Sequence, residues 1–355
     1  MAYASKITRF PELIRFAESD RELSVFFEDI AALNVSLDRC LLVSGERTFE
    51  IFGQNVKAEL ESHGCDVTTR FVHNSTSQTV DLVVEAAKSA DVVVAVGGGK
   101  VIDVGKMAAF QLGLPFISIP TVLSNDGIAS PISVIDGKSR FTAPPMAIFI
   151  DLEVVARAPI RHLRAGVGDL IANLTATLDW ELAHAEKGEP IIDMAVMLAR
   201  NGALMVFPSG GDFSDKKFLM RLAGGLIQSG LAMEISGSSR PASGAEHKIS
   251  HAIDALYRNK VSSLHGEQTA LGLLISGILH GLEIDRFLAF FEHFGLPMSP
   301  SDIGLNDSEF VKAIAFARTI RPERFTILEA LNVDLSTAKR LVKRLAAEVD
   351  NFRRK

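Results

Sequence analysis

Short apolar runs alternate with longer amphipathic stretches in the first 150 residues of the chain. The apolar runs, rich in β-branched residues, predict strands at residues 40–44, 66–72, 91–96, 115–120 and 146–151. Amphipathic stretches such as residues 48–64 and 77–90 predict helices between most of them. Strands separated by helices in this way are typical of a parallel sheet built from βαβ units.

The pattern changes near residues 156–166, beyond which strand-like runs disappear. Helical periodicity then predicts helices at residues 170–185, 191–206, 216–236, 246–256 and 263–282. No internal repeat or low-complexity segment interrupts the series. The pattern therefore predicts an α/β domain followed by an all-α domain, with the active site in the cleft between them.

Length, charge and cysteine content narrow the classes of protein. A chain of 355 residues suits two domains and can bury roughly 75% of its unfolded surface without disulfides. The two cysteines, Cys40 and Cys65, fit a reduced cytoplasmic compartment. The net charge of -6 argues against a non-specific nucleic-acid binder. We expect a soluble protein, since no signal peptide and no membrane-spanning run is visible.

A triple glycine follows the third predicted strand, in the segment GGGKVIDVGK at residues 97–106. Glycines allow a sharp turn and a close approach of the backbone to a ligand. The helix that begins near Lys100 would present free N–H groups to a pyrophosphate. The spacing differs from the usual G-x-G-x-x-G pattern, so a tight turn without a ligand stays an alternative.

A second polar segment, PTVLSNDGIASP at residues 120–131, follows the next predicted strand. Open α/β sheets bind ligands at the carboxyl ends of their strands. Thr121 and Ser124 are candidates for hydrogen bonds to the diphosphate or ribose of a dinucleotide. Asp126 is a candidate for binding a substrate hydroxyl, and a plain polar loop is the alternative.

Three of the nine histidines lie close together in sequence, at His247, His251 and His265. His247 and His251 are four residues apart and share one helix face. Asp169 lies in an otherwise apolar helix start, where a carboxylate is costly to bury unless it is paired or ligates a cation. One carboxylate and two of the three histidines would make a three-ligand catalytic metal site, and helical spacing alone favours His247 with His251. Each residue singly could instead be a hydrogen-bonded core residue or a helix cap.

Five blocks in the same order resemble the sn-glycerol-1-phosphate dehydrogenase family, within the group of iron-dependent alcohol dehydrogenases, glycerol dehydrogenase and dehydroquinate synthase. The blocks are VGGGKVIDVGK, PTVLSNDGIASP, AGVGDLIANLTATLDWELAH, SRPASGAEHKISHAID and LHGEQ. The resemblance implies a Rossmann-like dinucleotide-binding domain at residues 1–158 and a helical metal- and substrate-binding domain at residues 159–355. It implies reduction of dihydroxyacetone phosphate to sn-glycerol 1-phosphate with NADH or NADPH, and a homodimer or larger homo-oligomer.

The resemblance also assigns residues, one by one. The family's metal ligands match Asp169, His247 and His265, which makes His251 a substrate or proton-relay residue instead of a ligand. The substrate contacts match Asp126, Asp169 and His251. The metal is usually zinc, with nickel or iron as alternatives. The dinucleotide-binding positions match Gly97, Gly98, Gly99, Lys100, Val101, Thr121, Val122, Leu123, Ser124 and Ser130.

Some features depart from the family pattern or leave choices open. Val122 and Leu123 are bulkier than the small pair expected there, so Leu123 either crowds the cofactor or packs beneath it. Arg47 follows the first predicted strand where an acid would favour NAD, and we expect use of both NAD and NADP. Arg240 and Lys248 are candidates for binding the substrate phosphate. A polyol or glycerol dehydrogenase, a dehydroquinate-synthase-like cyclase and a non-catalytic binding module are the alternative functions.

Overall fold

The computed structural model describes residues 9–19, 21–208 and 210–355. The strands are β1 Leu13–Ala17, β2 Arg39–Ser44, β3 Asp66–Phe71, β4 Val92–Gly97, β5 Phe116–Pro120, β6 Ile132–Ile135, β7 Lys138–Phe141 and β8 Ala147–Asp151. The helices of the first 159 residues are α1 Arg21–Ala32, α2 Glu46–Thr48, α3 Gln54–Ser62, α4 Ser77–Ala87, α5 Gly99–Leu112 and α6 Leu152–Ala156. A π-helical turn, Phe49–Gly53, joins α2 to α3.

Helices dominate the remainder of the chain. They are α7 Ile160–Ile171, α8 Asn173–Lys187, α9 Asp193–Leu204, α10 Lys216–Ser236, α11 Ala245–Tyr257, α12 His265–Leu279, α13 Ile284–Phe294, α14 Asp307–Ala317, α15 Ile327–Ala330 and α16 Leu335–Arg354. No strand follows β8 among the described residues. In the same part of the chain, no helix combines the length and apolar character needed to cross a membrane.

Six parallel strands form the main sheet in the order β1-β8-β5-β4-β2-β3. Alternate residues of each central strand point to opposite faces of the sheet, so Leu42 packs with α1 and α3 while Leu41 and Val43 pack with α4 and α5. Both faces are buried, which explains why the central strands are apolar throughout. The α/β prediction and its five strands are confirmed.

Three strands, β1, β6 and β7, were not among the predicted ones. β1 pairs in parallel with β8, more than 100 residues later in the chain. β6 and β7 form an antiparallel hairpin whose turn, Asp136-Gly137, has φ angles of 53° and 70°. An Asp-Gly pair with two positive φ angles is typical of a two-residue hairpin turn, so the sequence did carry a signal for this hairpin.

The chain divides into two compact units. The first contains Met1–Pro159 together with Phe213–Ile235, and the second contains Ile160–Asp212 together with Ser236–Lys355. Most of α10 thus belongs with the parallel sheet, although it follows residue 158 by more than 50 residues. Gly230 makes this packing possible, because a Cβ there would lie 2.7 Å from the backbone of Ala129 and Ser130.

Candidate metal centre and dinucleotide turn

The glycine turn lies at the carboxyl end of β4. β4 ends at Gly97, Gly98 precedes the helix with an extended backbone, and α5 begins at Gly99. A Cβ on Gly97 would lie 2.8 Å from the side chain of Val101, so only glycine fits without a shift. The first N–H groups of a 14-residue helix therefore face the end of a buried strand. This arrangement suits a bound phosphate.

The segment after β5 lies against this turn. The backbone N–H of Thr121 donates to the carbonyl oxygen of Gly97 at 3.1 Å. Val122 approaches Gly98, since a Cβ built there would lie 3.4 Å from its Cγ1 atom. Asn125 lies equally close to the third glycine. The structure thus brings together the two segments that the sequence singled out for the dinucleotide.

The other predicted dinucleotide-binding residues differ in exposure. Lys100 is exposed and Ser124 is half-buried, so both side chains are accessible. Leu123 and Ser130 are buried, with 0% and 1% of their surface exposed. The side chain of Leu123 therefore packs inside the protein and does not crowd the cofactor.

A buried lysine shapes the loop that carries Asp126. The Lys106 ammonium donates to the carbonyl oxygens of Gly127, Ser130 and Ile132 at 2.7, 2.7 and 2.9 Å. Burial lowers the pKa of Lys106 to about 8, against the opposing effect of nearby carboxylates. Lys106 reads in sequence as an ordinary helix lysine, so no pattern marked it.

Asp126 belongs to the first compact unit, whereas Asp169 and His251 belong to the second. The Asp126 carboxylate accepts a hydrogen bond from the Ser229 hydroxyl of α10 at 2.8 Å. Its assignment as a substrate contact remains a prediction.

Three helices of the second unit bring Asp169, His247 and His265 together. One donor atom from each side chain lies within 4.8 Å of the other two. The Nε2 atoms of His247 and His265 lie 3.6 and 3.7 Å from Oδ1 of Asp169. His251 stands beside the group, with its ring centroid 6.0 Å from that of His265. The i, i+4 spacing on α11 therefore did not identify the histidines that converge with Asp169.

A close crossing of two helices explains this convergence. Gly168 on α7 and Gly266 on α12 lie in contact, since a Cβ on Gly168 would fall 2.3 Å from the Gly266 carbonyl oxygen. A Cβ on Gly266 would fall 1.9 Å from the carbonyl oxygen of Ala165. Asp169 directly follows the first glycine and His265 directly precedes the second. The glycine contact thus sets the distance between the carboxylate and the imidazole.

The residues fit a divalent metal ion. Metal–nitrogen and metal–oxygen bonds of about 2.0–2.2 Å in a tetrahedral site separate neighbouring donor atoms by about 3.4 Å. The separations of 3.6 and 3.7 Å are close to this value and are too long for hydrogen bonds. Asp169 and His247 are buried, while 39% of the His265 side chain is exposed, which leaves access for a further ligand.

Glu246 orients the His247 imidazole by contacting its Nδ1 atom. Its carboxylate, fully buried, lies 3.0 Å from His247 Nδ1 and accepts hydrogen bonds from the Gly244 backbone and the Thr175 hydroxyl. A proton on Nδ1 that is donated to Glu246 leaves the Nε2 lone pair for a metal ion. Burial lowers the pKa of His247, but the Asp169 and Glu246 carboxylates beside the ring outweigh this effect and raise the pKa to about 9, so the surroundings favour a positive charge here. Glu246 was not among the predicted site residues, although a carboxylate next to a candidate ligand is a usable signal.

Replacing Glu246 with glutamine is expected to weaken metal binding by a factor of about 10 to 100, because the amide cannot accept all three hydrogen bonds of the carboxylate. Titration with a competing chelator measures the affinity. Glu283→Gln, at an exposed position, is the matched control and should bind metal like the unaltered protein. An unchanged affinity in Glu246→Gln would show that Glu246 does not orient the ligand.

Comparison with known proteins first defines the class. The family model of iron-containing alcohol dehydrogenases matches residues 27–159. The structure of glycerol dehydrogenase from Schizosaccharomyces pombe aligns with a TM-score of 0.81 at 21% identity, over 99% of this chain and 92% of that chain. A probable glycerol dehydrogenase from Sinorhizobium meliloti 1021 aligns with a TM-score of 0.75 at 21% identity, over 98% and 99% of the two chains. The fold is that of the iron-containing alcohol dehydrogenase class.

Closer relatives define the family. NAD(P)+ glycerol-1-phosphate dehydrogenase from Thermococcus kodakarensis is 39% identical over 86% of this chain and 89% of its own length. The enzyme of the same name from Methanoculleus marisnigri is 41% identical over 88% and 87% of the two chains. The chain belongs to the glycerol-1-phosphate dehydrogenase family.

Proposed function

We propose that this chain catalyses the reversible reduction of dihydroxyacetone phosphate to sn-glycerol 1-phosphate by NADH or NADPH. Relatives 39–41% identical over most of the chain carry that enzyme name. The observation that carries the proposal is the convergence of Asp169, His247 and His265 from three helices in a member of this family. We further propose that the metal is zinc, with nickel or iron as alternatives, and that the location is cytoplasmic.

Each residue has a defined task in the proposed reaction. Asp169, His247 and His265 would hold the metal, and the glycine turn with Thr121 and Ser124 would hold the dinucleotide. When bound, the metal would supply Lewis-acid polarisation of the C2 carbonyl and the reduced nicotinamide would supply the hydride. Asp126 and His251 would bind the substrate hydroxyl groups.

The proton balance involves the same residues. Reduction of the carbonyl consumes one hydride and one proton at the oxygen. His251 lies next to the ligand His265 and carries an imidazole that can transfer a proton to that oxygen or order a water that does so. Glu246 keeps the Nδ1 proton of His247 in place, so that this imidazole does not take part in the transfer.

An absorbance assay at the nicotinamide band tests the proposal. The metal-loaded protein is expected to oxidise NADH and NADPH with dihydroxyacetone phosphate, with turnover rates that differ by less than about a thousandfold between the two dinucleotides. Faster turnover with unphosphorylated dihydroxyacetone or glycerol would instead indicate a polyol dehydrogenase. Consumption of a phosphorylated sugar without net absorbance change would indicate a cyclase that uses NAD transiently. Absence of turnover with all of these substrates would indicate a non-catalytic binding module.

A further inference from the structure

Two arginines of the second unit, Arg321 and Arg324, lie without acidic partners in the segment between α14 and α15. Among the described residues, no carboxylate lies within ion-pair distance of either guanidinium. Arg324 donates to the Ser243 carbonyl at 2.5 Å and to the Ser239 hydroxyl at 2.9 Å, and Arg321 reaches the same hydroxyl at 3.4 Å. Both side chains are half-buried, so their charges are partly removed from water, and Glu323, Glu189 and Glu246 act on them only from beyond ion-pair distance.

The two neighbouring cationic residues, Arg240 and Lys248, do have acidic partners. Arg240, itself buried, forms an ion pair with the half-buried Glu189, and Lys248 donates to Glu329 at 2.7 Å and to the Arg324 carbonyl at 2.9 Å. These two candidates for binding the substrate phosphate are therefore already neutralised within the protein. Arg240 keeps one buried Nη1 atom without a hydrogen-bond partner.

The backbone of this segment also adopts an unfavourable conformation. Arg321 has a φ angle of 47°, in the left-handed region, and is followed by Pro322. A non-glycine residue rarely adopts this conformation, and strained residues of this kind cluster at functional sites. Burial and the adjacent Arg321 and Arg240 charges lower the pKa of Arg324 to about 10. The two guanidinium groups therefore lie side by side despite an unfavourable backbone conformation and repulsion between like charges.

The pair lies next to the candidate metal centre. Arg324 donates to the carbonyl oxygen of Ser243, four residues before His247, and the charges of both arginines also act on the His251 imidazole. In dihydroxyacetone phosphate, the phosphate is attached to the carbon next to the carbonyl. A substrate whose carbonyl oxygen reaches the metal would therefore place its phosphate a few bonds away, where guanidinium groups can bind two oxygens at once.

We propose that Arg321 and Arg324 bind the phosphate group of the substrate and give the enzyme its preference for a phosphorylated over an unphosphorylated ketone. This inference rests on the proposed function. The Ser239 hydroxyl, which accepts from both arginines, would hold them parallel for the two phosphate oxygens. The two arginines lie 70 and 73 residues after His251, in a segment without a recognised motif, so the sequence did not mark them.

Kinetics of the metal-loaded Arg321→Met and Arg324→Met variants at saturating NADH test this assignment. We expect KM for dihydroxyacetone phosphate to rise by a factor of about 10 to 100 in each, because a hydrogen-bonded charge pair is lost, while kcat changes by less than about threefold. Arg324→Lys keeps the charge but loses the planar group that binds two phosphate oxygens, so its KM should lie between those of the unaltered protein and Arg324→Met. Arg340→Met is the control, since this exposed arginine bonds to two hydroxyl groups of its own helix and lies outside the proposed site.

A binding measurement separates this inference from the proposed function. Calorimetric titration of inorganic phosphate into the metal-loaded protein with NADH present should show binding that both methionine variants lose. An unchanged KM and unchanged phosphate binding in both variants would overturn the assignment. If Arg324→Met loses its metal because the Ser243 contact is broken, Arg321→Met decides the outcome. Absence of turnover with dihydroxyacetone phosphate in the unaltered protein would reject the proposed function, whereas phosphate binding would still report on the arginines.

Discussion

Replacing His265 with alanine is expected to release the metal and to lower kcat/KM by roughly a thousandfold or more, since Lewis-acid stabilisation supplies several kcal/mol. The reason is geometric. His265 Nε2 lies 3.7 Å from the Asp169 carboxylate and converges with His247, so its loss leaves two ligands on separate helices. Elemental analysis of the purified variant, together with the dihydroxyacetone phosphate assay, measures both effects.

His251→Ala is the matched control for this prediction. Its imidazole stands on the same helix face as His247 but outside the group of converging donor atoms. The variant should keep its metal and lose rate through the substrate or the proton. Metal loss in His251→Ala with retention in His265→Ala would restore the ligand pair that helical spacing favours and would contradict the spatial assignment.

Gly266→Ala is expected to destabilise the second unit by about 3 kcal/mol and to weaken metal binding at the same time. The added Cβ would lie 1.9 Å from the Ala165 carbonyl oxygen and 2.8 Å from its Cα atom, and backbone atoms of a packed helix cannot yield without moving α7 away from α12. Separation of these helices moves Asp169 away from His265. Chemical denaturation and metal titration measure the two effects.

Gly277→Ala on the same helix is the control. A Cβ there would meet only the end of the Ile284 side chain, at 3.2 Å, which can rotate away. Helix propensity favours alanine over glycine by about 1 kcal/mol, so this variant should be at least as stable as the unaltered protein. Equal stability of Gly266→Ala and Gly277→Ala would show that the close crossing does not set the ligand geometry.

The parts of the fold that depend on local pattern were predictable from the sequence. The buried strands of the parallel sheet are apolar because both faces are covered, and β4 with its glycine turn stands out for that reason. β1 did not stand out, because its five residues, three of them half-buried, carry little periodicity and their partner β8 is distant in sequence. The return of α10 to the first unit depends on the contact at Gly230, which no local pattern encodes.

The metal-binding residues of the candidate site were predictable only with the help of the family resemblance, because spacing along the chain did not give the complete set. Helical spacing paired His247 with His251, whereas convergence in space depends on the crossing of α7 and α12 and selects His265. The resemblance to the family supplied that third residue. Glu246 contacts His247 from a buried position, and no carboxylate of the described residues lies within ion-pair distance of Arg321 or Arg324. Neither property can be read from spacing along the chain.

Anomalous diffraction from crystals of the metal-loaded protein tests the central claim most directly. We expect a single strong peak about 2 Å from an Asp169 carboxylate oxygen and from the Nε2 atoms of His247 and His265. A peak coordinated by His251 in place of His265, or an active crystal form with no metal peak near Asp169, would contradict it.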